Sequence, residues 1–147
     1  MAAPLEIDYA KLKILIVEDE PYTREIIRKL LYQIGVRSFA EAPDGRTGMQ
    51  EVVRTRPDLV FCDVHMGDFG GLAFLEGLRK VKIQGIDRTP VVMLTADSSQ
   101  DTVMFAKEKT VQGYLVKPVS SQQLKQRIDM IVHAFPELAL RLKPDRR

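Results

Sequence analysis

The sequence predicts an α/β fold: a doubly wound, three-layer sandwich around a five-stranded parallel sheet in the order 2-1-3-4-5. Three observations predict it. Short apolar runs alternate five times with amphipathic stretches, and that alternation implies parallel strands covered by helices on both faces. Right-handed crossovers leave few topologies for such a chain. The 147 residues suit one domain with a sizeable core, and 2-1-3-4-5 is a common strand order at this length.

The first run is Leu12 to Val17 (LKILIV), short and β-branched. A helical pattern follows, with Ile26, Ile27, Leu30, Leu31 and Ile34 on one face and Gly35 at its close. A weak second strand is expected near Val36 to Ala40. Asp44 and Gly45 then open a short helix that turns Met49, Val52 and Val53 inward. The third run, Leu59 to Cys62 (LVFC), follows Pro57. A loop with Gly67, Gly70 and Gly71 leads into a helix carrying Leu72, Leu75 and Leu78. Val91 to Leu94 (VVML) is the fourth run, and a fourth helix is expected from about residue 99 to residue 108. Tyr114 to Val116 (YLV) is the fifth run. The last helix starts near Ser120 and spaces Leu124, Ile128, Ile131 and Phe135 by four, three and four. Pro136 ends or kinks it. Beyond it, one extra helical turn, a linker and a disordered tail are all open. The expected organisation is an N-terminal extension (1–10), one domain (11–135) and a C-terminal tail (136–147).

Composition narrows the function. Hydrophobic residues make up 45% and charged residues 29%, as in a soluble globular domain. A net charge of +2 is too small to suggest direct nucleic-acid binding, and the basic residues Arg141, Lys143, Arg146 and Arg147 read as a solvated terminus. Cys62 is the single cysteine, so no internal disulfide can form, and a thiol inside an apolar strand suits a reducing compartment. Residues 1–9 lack the basic start and apolar stretch of a signal peptide. No apolar run approaches the ~20 residues that cross a bilayer. A cytoplasmic protein without a membrane span is expected.

The polar residues that carry chemistry fall at the carboxyl ends of strands: Glu18, Asp19 and Glu20 after the first, Asp63 after the third, Thr95 after the fourth and Lys117 after the fifth. Strands one and three flank the topological switch point, where ligands bind in such sheets. Each residue also has an ordinary role open to it. Asp19 or Glu20 can cap the first helix, with Pro21 in its first turn. Asp63 can start a turn, Thr95 can be a strand-end β-branched residue, and Lys117 a solvated surface cation. Their joint occurrence at four strand ends is what favours a site.

The residue types suit one chemistry. Clustered carboxylates repel, so at least one pKa rises unless a cation joins them. Asp19, Asp63 and, through a water, Glu18 offer hard oxygens. No His/Cys cluster suits zinc, so Mg²⁺ or Mn²⁺ is the expected ion. An aspartate beside such an ion can attack phosphorus and form an aspartyl phosphate. Lys117 would pair with the phosphoryl oxygens, and the Thr95 hydroxyl and Ala96 N–H would donate to them.

Taken in order, Glu18-Asp19 after an apolar strand, Asp63 after LVFC, Gly71 eight residues later, Thr95-Ala96 after VVML, and Tyr114 followed by Lys117-Pro118 resemble the receiver domains of two-component response regulators. The resemblance covers about residues 11–133 and is to a CheY-like, stand-alone receiver with flavodoxin-like topology. It implies that Glu18 and Asp19 are the acidic pair that holds the metal, with the backbone carbonyl of His65 as a further ligand. It implies that Asp63 is the phosphoacceptor, Thr95 the switch hydroxyl, Tyr114 the switch aromatic and Lys117 the phosphate-contacting lysine, with Lys117-Pro118 commonly cis. His65 and Asp97 stand where family members tune dephosphorylation. The partners implied are a histidine kinase or histidine phosphotransfer protein and a downstream protein target. The chain itself is then a monomer or a phosphorylation-dependent dimer.

Two departures stand out. Gly67 replaces the usual proline after Met66, which predicts a more mobile loop. Thr110-Val111 replaces a common Gly-Ala, so the fourth helix lacks its glycine stop. Within helix four, Val103, Met104, Phe105 and Ala106 cannot share one face, since neighbours lie ~100° apart. A partner surface is expected around Val103, Phe105 and Tyr114, on the face made by helix 4, strand 5 and helix 5.

Three rival readings are weaker. A haloacid-dehalogenase-like phosphatase needs an aspartate where His65 stands. A nucleotide-binding flavodoxin-type protein needs a Gly/Ser/Thr-rich first loop, whereas VEDEPYT is acidic. A non-phosphorylated scaffold has no need of Asp63, Thr95 and Lys117 together.

Overall fold

The apolar runs form the strands of one parallel sheet: β1 (Lys13–Val17), β2 (Ser38–Ala42), β3 (Leu59–Asp63), β4 (Val91–Thr95) and β5 (Gly113–Val116). In this computed structural model, residues 5–67, 69–96 and 111–145 are described. The strand order is β2-β1-β3-β4-β5, as the alternating pattern predicts. The fourth predicted helix, with Asp97, Val103, Met104, Phe105 and Ala106, lies outside the described residues.

Alternation along each strand separates two cores. Ile14, Ile16, Phe61, Val92 and Leu94 face one side, with Ile27 and Leu31 of α1 (Pro21–Ile34) and Leu124, Ile128 and Ile131 of the helix Ser121–Ala134. Leu15, Val17, Val60, Cys62 and Met93 face the other, with Val52 of α2 (Gly45–Thr55) and Phe74, Leu75 and Leu78 of α3 (Gly71–Lys80). Side chains alternate faces with a period of two, so a strand buried on both sides reads as a continuous apolar run. That is why LVFC and VVML carried no periodic signal of their own.

The helix ends follow their sequence cues. Glu20 caps α1, its carboxylate accepting from the Tyr22 N–H at 3.1 Å and the Thr23 hydroxyl at 2.8 Å, with Pro21 at the first position. Asp19 is thereby left for other work. Gly35 closes α1 with φ 124°, a conformation that costs glycine little. Asp44 caps α2 by accepting from the Thr47 N–H at 2.7 Å. Ser120 and Gln123 form a reciprocal capping box.

Three local expectations need correction. The second strand is Ser38–Ala42 rather than the region beginning at Val36. Val36 instead donates its N–H back to the Leu31 carbonyl in the turn after α1. Ile26 and Val53 point outward, because each lies at the edge of its helix's apolar stripe and the sheet covers only the centre.

Of the forms open to the C-terminal segment, the extra helical turn is the one observed. The preceding helix ends at Ala134, and Pro136 opens a short helix, Pro136–Arg141. Leu138 and Leu142 join the core shared by α1 and the helix Ser121–Ala134. The Asp8 N–H donates to the Leu142 carbonyl at 2.7 Å, and Lys11 reaches the Lys143 carbonyl and Asp145. Arg141 pairs with Asp58. Such exposed ion pairs are worth at most about 1 kcal/mol, whereas burying each leucine contributes about 1.5–3 kcal/mol. The two leucines therefore hold the segment down. Among the described residues, no helix is long and apolar enough to cross a membrane.

Candidate functional site

Strand register assembles the site. Val17 lies beside Cys62 across β1–β3, and Asp63 beside Leu94 across β3–β4. Thr95 lies beside Val116 across β4–β5. Glu18 follows Val17 and donates its N–H to Ala42, while Lys117 follows Val116 and donates its N–H to Thr95. One end of the sheet thus gathers residues spread over a hundred positions.

Three of the acids converge. Carboxylate oxygens of Glu18, Asp19 and Asp63 all lie within 4.8 Å of one another. Lys117 Nζ lies 2.5 Å from Glu18 Oε1 and 3.5 Å from Asp63 Oδ2. Glu18 and Asp63 are buried, while Asp19 faces solvent. Asp63 Oδ1 also accepts from the His65 N–H at 3.3 Å. Thr95 is fully buried at the end of β4, next to β3, and Ala96 is exposed beyond it. Tyr114 is half-buried on β5 against the α2–α3 core. The His65 side chain is exposed, and its expected companion Asp97 lies outside the described residues. The Lys117-Pro118 peptide is cis.

Sequence reasoning missed two supports. Arg24 donates Nη1 to the Glu18 carbonyl at 2.7 Å and pairs with Glu41 of β2 at 3.4 Å. It braces the backbone that carries Glu18 and Asp19, and nothing in the α1 pattern marks it rather than Arg28 for that task. Gly71 was visible only as a spacing. A side chain there would place Cβ 2.1 Å from the Asp63 carbonyl oxygen and 2.9 Å from Met93 Cε. Its N–H donates to the Val64 carbonyl at 2.9 Å. Gly71→Ala must push the Asp63 backbone away, and overpacking of this kind costs about 1–3 kcal/mol. The expected result is an unfolding free energy, measured in urea, lower by that amount, together with weaker divalent-cation binding.

The electrostatics favour a second positive charge. Burial, with Asp63 beside it, pushes the Glu18 carboxyl from 4.5 up to about 7, although Lys117 opposes the rise. Burial alone would lower Lys117, but the Glu18 and Asp63 carboxylates outweigh it and hold the ammonium above its usual pKa. Burial also raises the Cys62 thiol well above its ordinary value, which leaves it an inert core residue. Three clustered carboxylates against one ammonium, all hard oxygen donors with no nitrogen or sulfur ligand among them, fit Mg²⁺ or Mn²⁺.

A pH dependence follows. Between 4.5 and about 7 the folded protein keeps on Glu18 a proton that the unfolded chain has lost. Stability of the metal-free protein therefore falls as pH rises through that window, by at most about 3 kcal/mol. Glu18→Gln should flatten the fall, and saturating Mg²⁺ should reduce it by stabilising the ionised carboxylates. Urea melts across the window, with and without EDTA, check both.

Comparison with known proteins agrees with the geometry. The family model of the response regulator receiver domain matches residues 14–129. The chemotaxis protein CheY of Pseudomonas aeruginosa is 35% identical over 120 residues, covering 82% of this chain and 95% of that protein. CheY-3 of Vibrio cholerae is 32% identical, covering 82% and 91% respectively. Among solved structures, a putative response regulator from Chloroflexus aurantiacus superposes with a TM-score of 0.74 at 26% identity, covering 82% of this chain and 96% of the other. The receiver domain of a histidine kinase from Syntrophus aciditrophicus gives 0.73 at 27% identity, covering 84% and 91%.

Proposed function

Because the chain belongs to the response regulator receiver family, we propose that it is a phosphorylation-operated switch of a two-component system, with Asp63 as the phosphoacceptor. The observation that carries this reading is the convergence of Glu18, Asp19 and Asp63 within 4.8 Å, with Lys117 on two of them. An Asp63 oxygen attacks the phosphorus of a phosphohistidine on a histidine kinase or phosphotransfer protein. The P–N bond breaks, its electron pair returns to the imidazole nitrogen, and that nitrogen takes up a proton from solvent. Such a transfer depends on alignment and charge neutralisation more than on covalent help from the protein.

Glu18, Asp19, Asp63 and the His65 carbonyl would hold Mg²⁺ or Mn²⁺. When bound, the ion supplies charge neutralisation at the transferring group. Lys117 moves from its carboxylate partners to a phosphoryl oxygen. The Thr95 hydroxyl and Ala96 N–H donate to the others. The added charge draws Thr95 toward the phosphoryl group, Tyr114 turns inward into the space it leaves, and the helix 4–strand 5–helix 5 face shifts toward the form its downstream protein target binds. His65 and Asp97 tune the approach of hydrolytic water. The protein works in the cytoplasm as a signalling component, with self-phosphorylation and self-dephosphorylation its only chemistry.

Intact-mass measurement after incubation with a small phosphoryl donor tests the reading. One phosphoryl adduct is expected with Mg²⁺ and none with EDTA. Absence of an adduct in both arms overturns it.

A further inference from the structure

The segment between Asp63 and α3 is held at two points. At its base, Gly71 N–H donates to the Val64 carbonyl at 2.9 Å. At its far side, Phe69 sits on the first residue of α2. The Gly45 N–H donates to the Phe69 carbonyl at 3.3 Å. A Cβ on Gly45 would lie 2.4 Å from Phe69 Cδ1 and 2.7 Å from the Phe69 carbonyl oxygen. The space for that ring exists only because residue 45 is glycine. The Arg46 guanidinium lies over the outer face of the ring, 5.2 Å from its centroid, within reach of a cation–π contact. Between the two holds, Val64 and Met66 are buried, His65 projects outward and Gly67 takes φ 63°. Gly67 thus supplies a turn in left-handed backbone, which glycine adopts at little cost.

We propose that Phe69 is a positioning residue for the cation site. Its ring, seated on Gly45, sets the path of the chain that carries the His65 carbonyl. The inference rests on the reading that Glu18, Asp19 and Asp63 hold a divalent cation. A carbonyl ligand contributes more when its backbone is ordered before the ion arrives, because binding then costs less conformational entropy. Groups that orient ligands without touching the metal are commonly worth about 10- to 100-fold in affinity. Phe69 also packs against the core cluster that holds Val64 and Met66, so its effect reaches the site through the chain on either side of His65.

Calorimetric Mg²⁺ titration of the whole chain tests this. Phe69→Ala is expected to weaken binding by about 10- to 100-fold. Gly45→Ala, which displaces the ring from below, should weaken it similarly, and Phe69→Tyr should keep wild-type affinity. Phe39→Ala removes a half-buried ring from the opposite core and should leave affinity unchanged. Amide exchange in metal-free Phe69→Ala should quicken at His65, Met66 and Gly67 while β1 and β3 stay protected. Wild-type protein that binds no Mg²⁺ overturns the reading of the acidic cluster. Wild type that binds, with Phe69→Ala and Gly45→Ala binding equally well, overturns this inference alone. Exchange that quickens throughout the sheet makes Phe69 a general packing residue and also overturns it.

Discussion

Asp63→Asn protein is expected to gain no phosphoryl group from a small donor and Mg²⁺, under conditions where the wild type is fully modified. The amide has nearly the shape of the carboxylate but lacks the anionic oxygen that attacks phosphorus, so the loss should be complete rather than partial. The fold should survive, because Asp63 is one of the groups that push Glu18 upward. Removing its charge lets Glu18 ionise more easily beside Lys117. The metal-free variant is therefore expected to be at least as stable as the wild type near neutral pH, and to show a smaller fall in stability as pH rises. Intact mass reads the first effect and urea denaturation the second. Modification of the variant at the wild-type rate would move the acceptor to another residue.

Lys117→Met should separate metal binding from phosphoryl transfer. Among the described residues, Lys117 is the ammonium paired with the Glu18 and Asp63 carboxylates, at 2.5 Å and 3.5 Å. Taking it away removes that counter-charge and favours an added cation. Mg²⁺ should then bind more tightly once Glu18 is ionised, which without Lys117 takes a higher pH than in the wild type. Transfer should slow by about 10²–10³-fold, the usual cost of losing one donor aimed at charge that develops in the transition state. A Mg²⁺ titration and the rate of mass gain measure the two effects on one sample. Tighter metal binding with an unchanged transfer rate would leave Lys117 as a mere counter-ion of the empty-handed carboxylates. Weaker metal binding would mean that it holds the acids in place.

These expectations draw on features of unequal visibility. The strand ends could be read from the chain because β-branched runs stop where polar residues begin, and the fold places those ends together. Glu18, Asp19, Asp63, Thr95 and Lys117 therefore stood out as a set. Arg24 did not, since its hydrogen bond to the Glu18 carbonyl depends on the angle at which α1 leaves the sheet. For Ile26 and Val53 the pattern misleads, because a helical stripe shows its centre clearly and its edges poorly; the sheet decides where the edge falls.

By itself the sequence determined the alternation of strands and helices, the helix starts near Asp44 and Ser120, and the residues available for chemistry. These are local matters: side-chain period, backbone freedom and hydrogen-bonding capacity act within a few residues. Only the tertiary structure decided which acid capped α1 and which faced the site, how far Lys117 stood from each carboxylate, and why residues 45 and 71 had to lack a side chain. Those outcomes depend on contacts between segments distant in the chain, where a shift of an ångström separates a fit from a clash.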